Sequence, residues 1–229
     1  MIQLKIKNDE LEKIEPRTLC EEAWQEIASH FPDFKVLSKG QKLKKVAKDK
    51  DIFFEIYFQA NRYNNKDSVE FIPHIGIYSK SMKRAGINNG FIYGGDLGSL
   101  SSRKPHAWWQ LAGASYKFTV EEVSKLIKIH VIPIFNYFED TQANIDRILE
   151  GNCTSESLLY YIYYFGGKNK AQQYFNRILK VNKFKNKYRI VTLDGDVINS
   201  WGSISGGYKS SKNSFSIIGR KQQLAKALS

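Results

Sequence analysis

Three groups of residues in this sequence have types and spacing that could support chemistry. The first is His106, which follows Arg103 and Lys104 and precedes the pair Trp108 and Trp109. Aromatic rings stack on nucleobases and cations hold phosphates, so this segment could line a pocket for an anionic or nucleobase ligand. The interpretation that we favour is that the paired tryptophans anchor the edge of a core.

The second group consists of carboxylates around two predicted strands. Asp51, Glu55 and Glu70 could meet beside Lys80 if a hairpin brings them together, as metal-assisted phosphodiester cleavage requires. Glu55 and Glu70 also lie at strand positions where outward polar side chains are expected. Neither the four histidines nor the two cysteines have partners at metal-ligand spacing. We therefore predict no catalytic residue, no metal site and no cofactor.

Basic residues form the third group, and they are unevenly distributed. The formal net charge is +12. Residues 180–229 contain ten lysines and arginines against Asp194 and Asp196, a balance of +8, and seven further lysines lie between residues 35 and 50. Such segments attract phosphate backbones by releasing counterions, without reading sequence, and otherwise form a solvated surface.

A glycine motif follows the strand-like segment Tyr188–Leu193. It contains a glycine, six residues, a second glycine, three residues and a glycine pair, at Gly195, Gly202, Gly206 and Gly207. Glycine permits positive φ and close backbone approach at such positions. Together with its flanks, Val191–Asp194 and Ser214–Arg220, the motif resembles the C-terminal part of the hinge of structural maintenance of chromosomes (SMC) proteins.

The hinge resemblance implies dimerisation and contact with DNA through a basic surface. The residues that would contact phosphate are Lys183, Lys185, Lys187, Lys209, Lys212 and Arg220. Tyr208 stands where a nucleotide-binding loop would need its lysine, so ATP hydrolysis is not predicted. Trp201 departs from the small residue or proline expected of a hinge, and the sequence contains no N-terminal half-hinge. A displaced or artificially joined fragment is therefore a third interpretation of this segment.

Periodicity over the first 180 residues predicts the elements that position these groups. Thr18–Glu21 has capping-box spacing ahead of an apolar stripe, which predicts a helix at 17–31. Alternating residues at 54–60 and 69–77 predict an antiparallel hairpin with one buried face. Glycines and serines at 79–105 predict loops with one short strand near 91–93.

Helices are predicted over the rest of this region. A second capping box, Thr119–Glu122, predicts a helix at 119–137 that Pro133 kinks or ends, and a shorter helix covers 143–150. Gly166 and Gly167 separate two apolar helical segments, which predicts a helical hairpin at 154–180. The predicted class is α+β, an antiparallel sheet packed with helices, followed by a small hinge-like β segment that ends in a helix at 216–228.

Features spread along residues 1–180 resemble the mostly bacterial family known as domain of unknown function 4304. They are Phe58–Gln59, Ile75–Tyr78, Asp96–Leu100, Trp108–Trp109 and the terminal helical hairpin. The resemblance implies a fold and no activity.

We therefore predict three parts: an α+β domain at 1–180, a basic linker at 181–187, and an SMC-hinge-like segment at 188–229 that begins a coiled-coil helix. The predicted function is that of a non-enzymatic interaction protein whose basic tail mediates self-association, association with an SMC-type partner, or DNA binding. The alternative is a nucleic-acid-processing or defence-associated enzyme with its active site in the N-terminal domain. The sequence lacks a signal peptide or an apolar membrane span, so we expect a cytoplasmic protein without membrane contact.

Overall fold

A computed structural model describes residues 15–101, 103–151, 153 and 155–182, and three short strands within 190–205. Two compact units are present, Met1–Ile178 and Leu179–Ser229. The first unit is an antiparallel sheet packed with helices, so the predicted α+β class is confirmed.

Six strands form the sheet of the first unit, in the order β1-β2-β3-β4-β5, with β6 also pairing with β4. Every pairing is antiparallel. The strands are β1 (Lys35–Leu37), β2 (Lys42–Val46), β3 (Ile52–Ala60), β4 (Glu70–Ser79), β5 (Phe91–Asp96) and β6 (Trp109–Gln110).

The predicted hairpin is confirmed as β3 and β4, the two longest strands. Phe54, Ile56 and Phe58 are fully buried on β3 and lie opposite Ile77, Ile75 and Pro73 of β4. Side chains alternate between the two faces of a strand, so the residues between them point to the opposite face. That face is half-buried to exposed, and it is the subject of the next subsection.

Helix α1 (Pro16–Ser29) packs on the buried face, where the ring of Trp24 stacks on that of Phe58 with centroids 6.3 Å apart. The predicted helix is confirmed, but the prediction that the capping box at Thr18–Glu21 begins it is wrong. The helix begins at Pro16, ahead of Thr18, because proline is tolerated in the first helical turn, where its missing N–H costs nothing. Thr18 consequently lies inside the helix.

The segment predicted to be loops contains two short helices as well as β5. Helix α2 (Lys80–Arg84) is capped by Ser79, and α3 (Leu97–Leu100) is capped by Asp96. A 3-10 turn at Asn88–Gly90 leads into β5. Serine and aspartate side chains accept hydrogen bonds from the first turn of a helix, and this local capping favours helices over open loops here.

Helix α4 (Ser115–Leu126) continues through a π-helical stretch (Ile127–Val131) into α5 (Ile132–Tyr137). The predicted helix is confirmed over most of its length, but it begins before the predicted cap. Thr119 is buried within α4 and donates its hydroxyl to the carbonyl of Gln110 at 2.6 Å. Pro133 lies at the start of α5, so the kink that it was predicted to cause coincides with the π-helical stretch.

Helix α6 (Thr141–Glu150) and helix α7 (Glu156–Asn182) follow, and the first unit includes α7 as far as Ile178. Gly167 has φ +82° and interrupts α7, which confirms the predicted helical hairpin. The hydroxyl of Tyr174 accepts the backbone N–H of Ser155 at 2.8 Å, so the second half of α7 folds back along the first. Among the described residues, no helix is both long and apolar enough to cross a bilayer.

The second unit contains β7 (Ile190–Val191), β8 (Val197–Ile198) and β9 (Ile204–Ser205), paired antiparallel in that order. Strand β7 lies within the predicted strand at 188–193. The four motif glycines, the six residues predicted to contact phosphate and the helix predicted at 216–228 lie outside the described residues.

Candidate functional site

The face of the sheet opposite the core carries aromatic and charged side chains in transverse rows. We call it the open face. Strand register defines three rows, each running from β2 through β3 and β4 to β5. The rows are Val46, Phe53, Tyr78 and Phe91; Lys44, Glu55, Gly76 and Gly94; and Lys42, Tyr57, His74 and Asp96.

The first row is a ladder of three aromatic rings. Phe53 and Tyr78 stack with ring centroids 5.3 Å apart and planes at 17°, and Phe91 meets Tyr78 edge to face at 5.6 Å. The ammonium of Lys44 lies 3.9 Å from the centroid of Phe53. All three rings are half-buried, so this row exposes a continuous aromatic edge beside a cation.

The third row pairs the most exposed ring of the open face with a histidine. Tyr57 is 38% exposed and stacks with His74 at 6.3 Å between centroids. Nε2 of His74 is 2.9 Å from Oε1 of Gln59, and the Tyr57 hydroxyl is 3.4 Å from Nε2 of Gln41. The His74 imidazole therefore has a hydrogen-bond partner in Gln59, and it also forms part of an aromatic surface.

Glycines make the middle row shallow. A side chain on Gly76 would place its Cβ 2.4 Å from the ring of Tyr78, and one on Gly94 would lie 2.1 Å from the carbonyl oxygen of Ile75. The Tyr78 ring can therefore lie over Gly76 only because no Cβ is present. Two strand positions separate adjacent rows, so the two aromatic rows are roughly 13 Å apart with the glycines between them.

Lysines dominate the β1–β2 side of the open face. Glu55 is the acceptor for Lys42 at 2.8 Å and for Lys44 at 3.7 Å. Lys35 lies opposite Lys44 in the register, and the β2–β3 turn carries Lys48 and Lys50. We call the exposed side chains of Lys35, Lys48 and Lys50 the lysine edge. None of the three forms an ion pair within the described part of the chain.

Asp96 and His106 lie at the β5 end of the third row. Asp96 is buried and accepts hydrogen bonds from the Ser99 hydroxyl at 2.6 Å and from the backbone N–H groups of Ser99 and His106, both at 3.0 Å. Nδ1 of His106 is 3.6 Å from Oδ2 of Asp96, and the His106 side chain is 82% exposed. The result is a solvent-facing imidazole beside a buried carboxylate.

Burial and charge perturb the titration of this cluster. Burial would by itself raise the pKa of Asp96, but the hydrogen bonds from Ser99 and His106 outweigh it and hold that pKa below its usual value. Burial lowers the pKa of His74, with Asp96 opposing and His106 adding to the shift. His74 therefore presents an uncharged ring at neutral pH, suited to stacking.

The carboxylates considered for metal-assisted cleavage do not converge. Glu55 lies opposite Gly76, six residues from Glu70 along β4, a separation of roughly 20 Å at the usual strand rise. Asp51 instead accepts hydrogen bonds from Ser79 and from Ser81. Among the described residues no group of three or more histidine, cysteine or carboxylate side chains could hold a metal ion. The hypothesis that places metal ligands at Glu55 and Glu70 is wrong.

The residues next to His106 in sequence do not form the ligand pocket that was considered for them. Trp109 is buried and donates Nε1–H to Glu122 at 3.2 Å, and the same carboxylate pairs with Arg103 at 2.6 Å. This arrangement confirms a core-edge role for Trp109. Trp108 is 40% exposed.

The open face was not predicted from the sequence, although the alternating pattern of the two strands already identified its outward positions. Phe53, Tyr57, His74 and Tyr78 occupy the outward positions of two strands whose inward positions were correctly identified. Polar residues are expected at outward positions of a half-buried sheet, so four rings there are unusual.

Residues 37–137 match the model of a family described as a domain of unknown function (DUF4304). The matched residues include all three rows of the open face and extend to the end of α5. No match supports the hinge resemblance at residues 186–229. No curated protein and no solved structure is significantly similar to the chain.

Proposed function

We propose that this is a non-enzymatic interaction protein that associates with nucleic acid through exposed lysines. The lysine edge carries the proposal, because its ammonium groups are exposed and no carboxylate of the described part neutralises them. The basic tail, which we define as Lys183, Lys185, Lys187, Lys209, Lys212 and Arg220, would add phosphate contacts. Both segments would contribute a sequence-independent, salt-sensitive affinity.

Fluorescence anisotropy with a labelled DNA duplex across a salt series tests this proposal. Neutralising three tail residues in the full chain, by Lys183→Gln, Lys185→Gln and Lys187→Gln, should reduce the slope of log affinity against log salt by about 2–3, since each lost phosphate contact contributes about 0.9. A matched variant with Lys66→Gln, Lys117→Gln and Lys125→Gln should keep the slope. The absence of any binding at low salt would refute the proposal.

The tail supports a second form of the same proposal, association with itself or with an SMC-type partner. The spacing of Gly195, Gly202, Gly206 and Gly207 is its support. Replacing these glycines by alanine should lower the mass measured by light scattering to that of a single chain, 26.4 kDa, with the unfolding transition of the first unit unchanged. A wild-type protein that is already a single chain, and that no SMC hinge binds, would contradict this form.

The geometry of Asp96 and His106 favours one enzymatic alternative. An exposed imidazole beside a carboxylate can act as a general base. In RNA cleavage it would take the proton of a 2′-hydroxyl, whose oxygen attacks the adjacent phosphorus. The 5′-oxygen of the next nucleotide then leaves with a proton, and a 2′,3′-cyclic phosphate remains. RNA that the wild type cleaves and His106→Asn leaves intact would support this alternative. RNA that stays intact with both proteins would exclude it.

A further inference from the structure

The open face combines three properties that point to one class of ligand. It presents aromatic rings in two rows, glycines at two positions of the row between them, and exposed lysines on its β1–β2 side. Unpaired bases offer apolar faces joined by a charged backbone, which matches rings beside cations. Duplex DNA hides its base faces within the stack, and aromatic rings on a sheet bind bases that are splayed out of a helix.

We infer that the open face binds single-stranded nucleic acid. Bases stack against the exposed Tyr57 ring and contact the exposed edge of the Phe53–Tyr78 row, while the phosphates lie toward Lys42, Lys44 and the lysine edge. This inference deepens the proposed function and rests on it, because it names the strandedness of the ligand and the rings that select it.

The distribution of charge favours one side of the open face for the backbone of the nucleic acid. The β1–β2 side carries Lys35, Lys42 and Lys44 against the single carboxylate of Glu55. The opposite side ends at the buried carboxylate of Asp96. The lysines therefore attract a polyanion toward β2, so its bases project inward across the rows.

The neighbouring contacts indicate which rings can be changed without loss of the fold. Tyr57 is 38% exposed, and its hydroxyl makes one long contact, to Gln41. Phe53 is half-buried between Lys44 and Tyr78, so leucine preserves much of its apolar volume while removing the ring. Phe118, 67% exposed on α4, provides a matched control away from the sheet.

The test uses the full chain with Phe53→Leu, Tyr57→Leu, the double variant and Phe118→Leu. Four labelled probes of one length are compared by anisotropy: a mixed-sequence DNA single strand, the same sequence as RNA, the DNA duplex, and a strand in which abasic residues replace the central bases. Mass is recorded for each protein by light scattering, and the unfolding midpoint by circular dichroism.

We expect the wild type to bind either single strand more tightly than the duplex or the abasic strand. The affinity for single strands should fall roughly tenfold for Tyr57→Leu, the range expected for loss of one stacked base, and by a smaller factor for Phe53→Leu, which removes only an edge contact. Affinity for the duplex and the abasic strand should stay within twofold, the salt slope should not change, and Phe118→Leu should match the wild type.

Several results would overturn the inference while leaving the proposed function intact. One is unchanged single-strand affinity in the double variant at an unchanged unfolding midpoint. Another is an equal loss for duplex and single strand, which would indicate a general electrostatic or folding effect. A third is a change in mass with no change in affinity, which would make the open face a protein interface. If the wild type binds none of the four probes, the proposed function itself fails.

Discussion

Asp96→Ala should destabilise the first unit and release the segment that carries His106. The carboxylate accepts three hydrogen bonds, from the Ser99 hydroxyl and from the backbone N–H groups of Ser99 and His106. One of these caps α3, and another fixes His106 in a backbone conformation with φ +57°. Alanine removes all three acceptors at once.

The expected loss follows from these contacts. A helix cap is worth about 1 kcal/mol, and each of the other two hydrogen bonds about 1 kcal/mol net of competition with water. Asp96→Ala should therefore cost about 3 kcal/mol of unfolding free energy, or roughly 6–12 °C in midpoint for a unit of this size. Ser99→Ala removes the hydroxyl and keeps both backbone donors, so it should cost about 1 kcal/mol.

The pH dependence provides an independent check. The folded-state pKa of Asp96 lies below its usual value, so the unfolded chain binds the proton more tightly. Stability from this group is present above about pH 4 and is lost as the pH falls through that value toward the folded-state pKa. Asp96→Asn lacks this ionisation, so the gap between wild type and Asp96→Asn should narrow in acid.

Urea unfolding followed by circular dichroism at pH 7 and pH 3 measures both effects. A cost below about 1 kcal/mol for Asp96→Ala would show that water replaces the three contacts, and would refute the reasoning. A gap between wild type and Asp96→Asn that does not depend on pH would refute the assigned cause of the pKa shift.

Two further predictions concern α6 and the thiols. Arg177 donates to the carbonyls of Ile148 and Leu149 at 2.5 and 2.6 Å and closes the C-terminal end of α6. Arg177→Met should cost about 3 kcal/mol in urea unfolding and Arg177→Lys about half as much, whereas equal costs would show that the positive charge contributes nothing. Cys20 is fully buried, and burial raises its pKa to about 11, while Cys153 is exposed. A thiol reagent at pH 8 should therefore label one cysteine in the folded protein and two in urea, and Cys153→Ser should abolish labelling of the folded protein; persistent labelling of that variant would contradict the burial of Cys20.

Local pattern determined much of the first unit from the sequence alone. The alternation at 54–60 and 69–77 defined the central hairpin, because burial of one sheet face requires apolar residues at every second position. Gly166 and Gly167 located the break in α7, because a residue at φ +82° favours glycine. These features depend on neighbours close in sequence.

The first residues of the helices and the short helices near β5 were less predictable from the sequence, because several capping signals compete there. Thr18 and Thr119 have the spacing of caps, yet both lie within helices. Helix α1 begins before Thr18, at Pro16, and the Thr119 hydroxyl donates to the carbonyl of Gln110 rather than capping α4. The glycines near β5 suggested loops, whereas Ser79 and Asp96 cap short helices there. Competing signals close in sequence, Pro16, Ser79 and Asp96, decided most of these boundaries.

Only the tertiary structure decided which side chains share a surface. Glu55 and Glu70 could have met according to the sequence, but strand register separates them and gives Glu55 to Lys42 and Lys44. The same register aligns Phe53 with Tyr78 and Tyr57 with His74. Local alternation within each strand determines which of its residues point inward and which point outward. The pairing of strands determines which outward residues become neighbours, because a shift of register would form different rows.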